Sequence, residues 1–229
     1  MTDSLDKLNR EVVACTKCPR LVDFRQHVAF TKRRMYQEWE YWGKPVQGFG
    51  DPQARVLIVG LAPAAHGGNR TGRMFTGDRS GDWVYGTLHK FDFASSSDST
   101  DKEDGLSLKD VYITSVVRCV PPDNKPLPQE QTTCRPYLLR ELALFSGLQI
   151  VVALGKIAFD GFLKAWSESG RPLPSPMPQF GHGKASALSK NVTLMASYHP
   201  SQRNTQTGRL TTDMFEGIFA SVRHHLRNE

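Results

Sequence analysis

The chain has 229 residues, of which 39% are hydrophobic and 23% charged, and its excess of lysine and arginine gives a net charge of +6. This is the composition of an ordinary folded domain, which excludes a disordered chain, and no apolar stretch approaches the ~20 residues that cross a bilayer. The basic charge favours an anionic partner such as nucleic acid, although a merely basic surface would give the same balance.

The N-terminal residues have no apolar segment of signal-peptide length, so we expect an intracellular protein that forms a single domain over residues 1–229. This region contains Cys15 and Cys18 in the stretch CTKC. In a reducing compartment, cysteines are better candidates for metal ligands or free thiols than for structural disulfides.

Four short apolar runs rich in β-branched residues predict buried strands, at residues 54–60, 111–119, 149–155 and 192–198. Helical patterns occur at residues 81–91, 129–145, 156–166 and 212–227. A strand followed by a helix, repeated four times, predicts an α/β fold with three layers, α/β/α, around a four-stranded parallel sheet. Such sheets bind ligands beyond the carboxyl ends of their strands.

Two segments interrupt this alternation. Residues 95–105, SSSDSTDKEDG, are polar and predict a mobile surface loop. Residues 169–190 contain four prolines and cannot continue the preceding helix. We therefore interpret both segments as surface inserts.

A second pair of cysteines lies further along the chain, with Cys119 at the end of a predicted strand and Cys134 in the helix that follows. This placement could bring both sulfurs back toward Cys15 and Cys18. The wide spacing of the second pair fits zinc ribbons poorly, whereas an iron-sulfur cluster tolerates irregular spacing. A cluster, a zinc site and buried free thiols remain alternatives.

The loop after the first strand, GLAPAAHGGNRTGRMFTGD, is rich in glycine and basic residues. Glycines allow backbone N–H groups to approach an anion, but the loop matches neither common nucleotide-binding motif, which weakens a nucleotide-phosphate enzyme as an interpretation. Within this loop, Phe75 either packs beneath the loop or offers a face on which a planar base stacks.

The loops after the second and fourth strands carry further polar residues. The stretch VPPDNKPLP presents Asp123, Asn124 and Lys125 on a backbone stiffened by prolines, although a simple capping turn would look the same. In SYHPSQRN, His199 ends the fourth strand, and the donors that follow suit phosphate or a gap in a base stack. These donors are Ser201, Gln202, Arg203 and Asn204, with Arg209 further along the loop.

Together the stretches CTKCPRL, GKPVQGFGDPQARVLIVGLAPAAHGGNRTGRMFTGD, TSVVRCVPPDNKP and YHPSQRN resemble the uracil-DNA glycosylase superfamily, and most closely its family 5. The resemblance implies a four-stranded parallel sheet between helices and a structural 4Fe-4S cluster on Cys15, Cys18, Cys119 and Cys134. It also implies a monomeric prokaryotic enzyme of base excision repair. Such an enzyme flips a damaged nucleotide out of DNA and hydrolyses the N-glycosidic bond of uracil or another deaminated base.

The resemblance further implies roles for individual residues. His199 would donate to the base oxygen and Asp78 would face the cationic sugar, with Asn124 as a further catalytic polar group. Phe75, Ser115 and Ala64 would contact the base. The donors at residues 201–204 would contact DNA.

Two positions depart from the pattern of relatives. Ala64 and Ala65 follow Pro63, where many superfamily members have an acidic or amide residue that positions the attacking water. This departure leaves a non-catalytic module for damaged or single-stranded DNA as the alternative function. Ser115 stands where uracil-specific relatives have an asparagine, so we expect a substrate range that extends to hypoxanthine, xanthine or etheno-cytosine.

Overall fold

The structure is a computed structural model in which residues 3–227 are described. The helices are α1 Leu5–Val13, α2 Pro19–Thr31, α3 Gly68–Thr71, α4 Arg79–Lys90, α5 Pro128–Leu144, α6 Lys156–Glu168, α7 Gln202–Gln206 and α8 Thr212–Arg227. The strands are β1 Phe49–Gly50, β2 Val56–Gly60, β3 Val111–Ser115, β4 Ile150–Leu154, β5 Ala185–Ala187 and β6 Thr193–Ser197. Short 3-10 turns occur at Arg34–Tyr36 and Pro122–Asn124. None of the helices within residues 3–227 is long and apolar enough to cross a membrane.

The strands form one sheet in the order β1-β3-β2-β4-β6-β5. The four inner strands are parallel, which confirms the four predicted strands and the α/β class. The two outer strands, β1 and β5, run antiparallel to their neighbours and were not predicted. The chain passes from β2 to β3 on one side and then to β4 on the other, so the connections change direction at the centre of the sheet, where such folds bind ligands.

Side chains of the inner strands alternate between two apolar cores, one on each face of the sheet. Leu57, Val59 and Val151 face the core that α5 and α6 cover. Val56 and Ile58 face the opposite core, which α4 and α8 cover. This alternation makes the three predicted layers, and α1 packs outside them against α5.

The two predicted inserts are more closely integrated than surface loops. Residues 169–190 include β5, so this segment completes one edge of the sheet. Residues 95–105 lie against the loop that follows β2, and their contacts include a side chain of that loop that is almost fully buried. Polar residues and prolines marked the two segments as interruptions of the alternation, but they gave no sign of these attachments, and Leu188 of the second segment is buried in the core.

Candidate functional site

The rings of Phe75 and His199 meet beyond the carboxyl ends of the central strands. Their centroids are 5.9 Å apart and their planes are inclined by 37°. Two strand-end glycines make room for them. A methyl group on Gly60, at the end of β2, would lie 2.9 Å from Phe75 Cζ, and one on Gly155, after β4, would lie 3.4 Å from His199 Cβ. Loops from three parallel strands therefore converge on this ring pair.

Burial governs the chemistry of His199. Because desolvation disfavours the imidazolium form, the pKa of His199 falls from 6.5 to about 4. The carbonyl of His199 accepts a hydrogen bond of 2.8 Å from Asn204 Nδ2, which fixes the backbone at the start of this loop. Among residues 3–227, no group is hydrogen-bonded to its ring nitrogens, so a neutral imidazole is available to a ligand.

Asp78 is the last residue of the glycine-rich loop and the N-cap of helix α4. Its Oδ1 accepts hydrogen bonds from the backbone N–H groups of Ser80, at 2.9 Å, and Gly81, at 3.1 Å. Its Oδ2 lies against the loop, because a methyl group on Gly67 would come within 2.0 Å of it. Burial raises the pKa of Asp78 above its usual value, and the two N–H groups partly oppose this shift. Asp78 is thus a helix cap with one carboxylate oxygen directed at the glycine-rich loop.

The backbone of Phe75 has a positive φ of 52°, which is uncommon for a residue with a side chain. Gly81 permits this conformation, since any Cβ there would lie 2.0 Å from the carbonyl oxygen of Phe75. Tyr85 donates a hydrogen bond of 2.8 Å to the carbonyl of Met74. The Phe75 side chain is 7% exposed, so it packs under the loop and also presents its ring to His199.

The other two residues predicted at the base occupy different settings. Ser115 ends β3, is fully buried and donates a hydrogen bond of 2.9 Å from Oγ to the carbonyl of Val117. Ala64 is half-buried, and its carbonyl accepts a hydrogen bond of 3.0 Å from Asn69 N. Neither Ser115 nor Ala64 therefore offers a free side-chain hydrogen-bond donor to a ligand beside Phe75 and His199.

Asn124 lies apart from the ring pair in the structure. It is exposed in the turn Pro122–Asn124 and has a φ of 54°. No contact within residues 3–227 joins its side chain to Phe75, Asp78 or His199. A catalytic role for Asn124 therefore stays a prediction. It requires either that the turn Pro122–Asn124 moves toward the ring pair or that a bound ligand reaches from one to the other.

The four residues predicted to contact DNA divide into two pairs. Ser201 caps α7 by accepting a hydrogen bond of 3.4 Å from Asn204 N, and Asn204 holds the carbonyl of His199. Gln202 and Arg203 are exposed on the first turn of α7. The first pair supports the loop, and only the second pair is free to reach a phosphate.

Two arginines of the glycine-rich loop were read from sequence only as basic residues, and the structure buries both. The Arg70 guanidinium lies 3.9 Å from the ring centroid of Tyr36 and 4.1 Å from that of Trp39. Its Nη2 also donates to the carbonyl of Gly77 at 2.8 Å, which attaches the N-terminal region to the loop. Arg73 is 3% exposed and forms an ion pair with Asp104. Sequence gives no signal for the aromatic partners of Arg70 or for Asp104, because each lies more than thirty residues away along the chain.

The four cysteines line a single cavity beside α2 and α5. Burial raises the pKa of Cys119 to about 12 and that of Cys134 to about 11, so the thiolate forms would need a compensating positive charge. None of the four forms a disulfide. Among residues 3–227, however, no three histidine, cysteine or acidic side chains converge closely enough to hold a single metal ion.

Two buried arginines adjoin this cavity with N–H groups that have no partner. Arg25 Nη2 is 3.4 Å from the carbonyl oxygen of Cys15, and the Nε and Nη1 atoms of Arg25 are unpaired. Arg118 donates from its backbone N to Cys134 Sγ at 3.3 Å, while its guanidinium forms an ion pair with Glu141 through Nη2 at 2.6 Å and leaves Nε and Nη1 unpaired. Unsatisfied buried donors of this kind suit an anionic group bound among the thiols.

Comparison with known proteins gives consistent matches. A sequence model described as the uracil DNA glycosylase superfamily matches residues 47–223. A type-5 uracil-DNA glycosylase of Mycobacterium tuberculosis is 48% identical over 221 residues, which are 96% of this chain and 81% of that protein. Proteins with the same name from Mycobacterium leprae and Thermus thermophilus are each 47% identical. The first match covers 96% of this chain and 95% of the relative, and the second covers 89% and 90%.

Proposed function

The chain belongs to the uracil-DNA glycosylase superfamily, and from this premise we propose that it is a monofunctional DNA glycosylase that hydrolyses the N-glycosidic bond of uracil in DNA. The observation that carries the proposal is the convergence of Phe75, His199 and the Asp78 loop beyond the strands. A nucleotide flipped out of the duplex would enter this convergence, since the target atom cannot be reached inside the base stack.

The reaction separates charge, because the base leaves as an anion while the sugar becomes an oxocarbenium-like cation. His199 is neutral at pH 7, so it stabilises the departing base as a hydrogen-bond donor to a base oxygen rather than as an acid. The Asp78 carboxylate supplies negative charge on the sugar side. Water then adds its hydroxyl to the sugar C1′ and its proton to the base, which yields free base and an abasic site.

Water activation needs a group other than the loop residues after Pro63, because Ala64 and Ala65 have no polar side chains. Asp78 Oδ2 is the better candidate, since Oδ1 is already engaged by two backbone N–H groups. Asn124 is the further polar group we assign to this step, and it would approach only when DNA occupies the site.

We infer the range of bases that the site accepts from the setting of Ser115. A serine hydroxyl already bonded to the carbonyl of Val117 makes no strict demand on the edge of a base. We therefore propose that uracil is accepted together with hypoxanthine, xanthine or etheno-cytosine. An amide in this position would instead reject bases that left its buried hydrogen-bonding groups unpaired.

The exposed Gln202 and Arg203 are the proposed contacts to the DNA backbone beside the flipped nucleotide. The proposed setting is the cytoplasm of a prokaryote, where a monomer would act on chromosomal DNA. The type-5 relatives come from bacterial and archaeal species, which supports the prokaryotic part of this proposal.

We assign a structural 4Fe-4S cluster to Cys15, Cys18, Cys119 and Cys134. Its support is the shared cavity, the unpaired donors of Arg25 beside Cys15, and the backbone N–H that Arg118 donates to Cys134 Sγ, which fit an anionic cluster. When bound, the cluster would cross-link the α1–α2 region to the end of β3 and to α5. Purified protein should be brown, with iron and sulfide in equal amounts, whereas colourless protein with stoichiometric zinc would overturn the assignment.

The deciding experiment incubates cluster-loaded protein with duplexes and single strands containing uracil, hypoxanthine, xanthine or etheno-cytosine. We expect free base and alkali-labile abasic sites without strand cleavage by the protein itself. Tight binding to these DNAs with no base release would instead favour the non-catalytic binding module, for which the missing polar residue after Pro63 is the specific observation.

A further inference from the structure

We propose that the polar segment Ser99–Asp104 is a positioning element that holds the Phe75 ring in place to stack on the flipped base. This inference rests on the proposed function and extends it, because it assigns a role in base binding to a segment outside the strand-end loops. The connection is made by Arg73, a buried arginine two residues before Phe75.

Arg73 uses its guanidinium to join the loop to the segment. Its Nη1 donates to Asp104 Oδ1 at 2.8 Å and its Nη2 contacts Asp104 Oδ2, which makes a two-pronged ion pair. Nη2 also donates to Ser99 Oγ at 2.8 Å, and Nε donates to Thr76 Oγ1 at 3.0 Å. A lysine has one ammonium group and could not reproduce this planar set of bonds.

Further bonds reach the residues that directly follow Phe75. The hydroxyl oxygens of Ser99 and Thr76 are 2.6 Å apart, and the carbonyl of Ser99 accepts a hydrogen bond of 3.3 Å from Gly77 N. Ser99 therefore bonds Thr76 and Gly77, and Arg73 precedes them. Phe75 is held between these anchored neighbours.

Asp104 is held in place by backbone hydrogen bonds as well as by Arg73. Its carboxylate accepts backbone N–H bonds of 2.9 Å from Thr100 and from Leu106. Burial alone would raise the pKa of Asp104, but the bonds from Arg73 and from these N–H groups hold it well below its usual range. The ion pair is thus present at every pH at which the protein would act.

The positive φ of Phe75 explains why the glycine-rich loop needs the contacts from the Ser99–Asp104 segment. An unfavourable backbone conformation persists only where the surrounding contacts over-determine it. Tyr85 and Gly81 restrain the loop from the α4 side, and Arg73 restrains it through the Ser99–Asp104 segment. Releasing the second restraint would let Phe75 relax and move its ring away from His199.

The test compares two inert DNAs. One carries a 2′-fluorinated deoxyuridine, whose glycosidic bond resists cleavage, and the other carries a tetrahydrofuran abasic analogue with no base to stack. Asp104→Asn should weaken binding to the first by on the order of 10-fold, part of the full effect of one aromatic stack. It should leave binding to the second within about 2-fold. Asp98→Asn is the matched control, because it removes the same charge from an exposed position directly before the segment.

A double variant tests whether Asp104 acts through Phe75. If it does, Phe75→Ala with Asp104→Asn should bind the uracil analogue no more weakly than Phe75→Ala alone. Ser99→Ala, a smaller change that keeps the ion pair, should show the same selective loss at reduced size if Asp104→Asn does not fold. Equal losses on both DNAs, no loss on either, or additive losses in the double variant would overturn the inference.

The wild-type protein separates this inference from the function on which it rests. Base release from uracil DNA by the wild type, combined with unchanged base affinity in Asp104→Asn and Ser99→Ala, would overturn only the positioning role. Absence of base release together with equal wild-type affinity for the two DNAs would overturn both.

Discussion

His199 combines two properties that suit a hydrogen-bond donor: burial keeps its ring neutral at physiological pH, and its backbone is fixed by Asn204. A fixed neutral donor needs no reorganisation when charge develops on the departing base, which is the condition under which electrostatic stabilisation is most effective. Because His199 acts as a single preorganised donor, its replacement should have a specific effect on the rate of base release.

His199→Ala should lower the single-turnover rate of uracil release by about 10² to 10³, the usual effect of removing one preorganised donor. Binding to DNA with the abasic analogue should change little, because the lost interaction belongs to the departing base. His27→Ala, an exposed histidine on α2, serves as the control. A wild-type rate for His199→Ala would refute the assignment.

Asp78 has to be tested in a way that separates its capping role from its charge. Serine caps helices about as well as aspartate, so Asp78→Ser should keep α4 folded with a stability change of roughly 0.5 kcal/mol. The rate of base release should nevertheless fall by about 10²-fold, because the carboxylate is lost. Asp82→Asn, an exposed acid in the first turn of the same helix, should remain fully active. Rate measurements paired with urea denaturation would reveal any loss that arises from unfolding alone.

At the scale of elements, α7 is the short helix that carries the two exposed candidates for DNA contact. Arg203→Ala should weaken binding and make the log-log dependence of affinity on salt less steep by ~0.9, as expected for one lost phosphate contact. Lys190→Ala removes the same charge just before β6, at the opposite end of the sheet, and should leave the slope unchanged. If the two variants showed the same salt dependence of affinity, the DNA backbone would not contact Arg203 on α7.

The sequence predicted the buried inner strands of this fold well and the short edge strands poorly. The four inner strands are buried on both faces, so each reads as a continuous apolar run such as Val56–Gly60. The edge strand Ala185–Ala187 is mostly exposed and has only three residues, which leaves no periodic signal. The helices Leu5–Val13 and Pro19–Thr31 were not predicted either, although Leu8 and Val12 of the first have the spacing of a buried helix face.

The candidate site shows the same division. His199 was recognisable because it ends an apolar run and precedes a proline, and Phe75 because an aromatic residue stands out in a glycine-rich loop. The ion pair of Arg73 with Asp104 was not recognisable, since only tertiary folding brings a buried arginine to a polar segment 31 residues away. Sequence indicates which residues could react, whereas the network that orients them depends on long-range packing.

At the scale of the whole molecule, three histidines make stability depend on pH. Burial lowers the pKa of His66, His182 and His199, so below pH 6.5 the unfolded chain binds protons that the folded chain does not. The free energy of unfolding should therefore fall as the pH is lowered from 6.5 toward 4.5. Below that range, carboxylates with lowered pKa values, such as Asp104, add a further loss, while the raised pKa of Asp78 acts in the opposite direction.

Urea denaturation at pH 7.5 and at pH 5 measures this effect. The difference in unfolding free energy between the two pH values should be smaller in His199→Gln than in the wild type, because the glutamine does not titrate. His27→Gln, which alters an exposed histidine, should leave the difference unchanged. A pH dependence that His199→Gln does not reduce would show that its imidazole is not buried in the neutral form.

The short outer strands of the sheet bear on how the protein behaves at high concentration. A sheet edge is a row of unpaired backbone groups on which a second chain can assemble. Here one edge offers the two residues of β1, with Pro52 two positions after the strand, and the other offers the three residues of β5, preceded by Lys184. Such brief edges, flanked by a residue that cannot donate and by a charge, give a neighbouring chain little to extend. The architecture that gathers the reactive loops at the strand ends thereby also resists fibrillar self-assembly along the sides of the sheet.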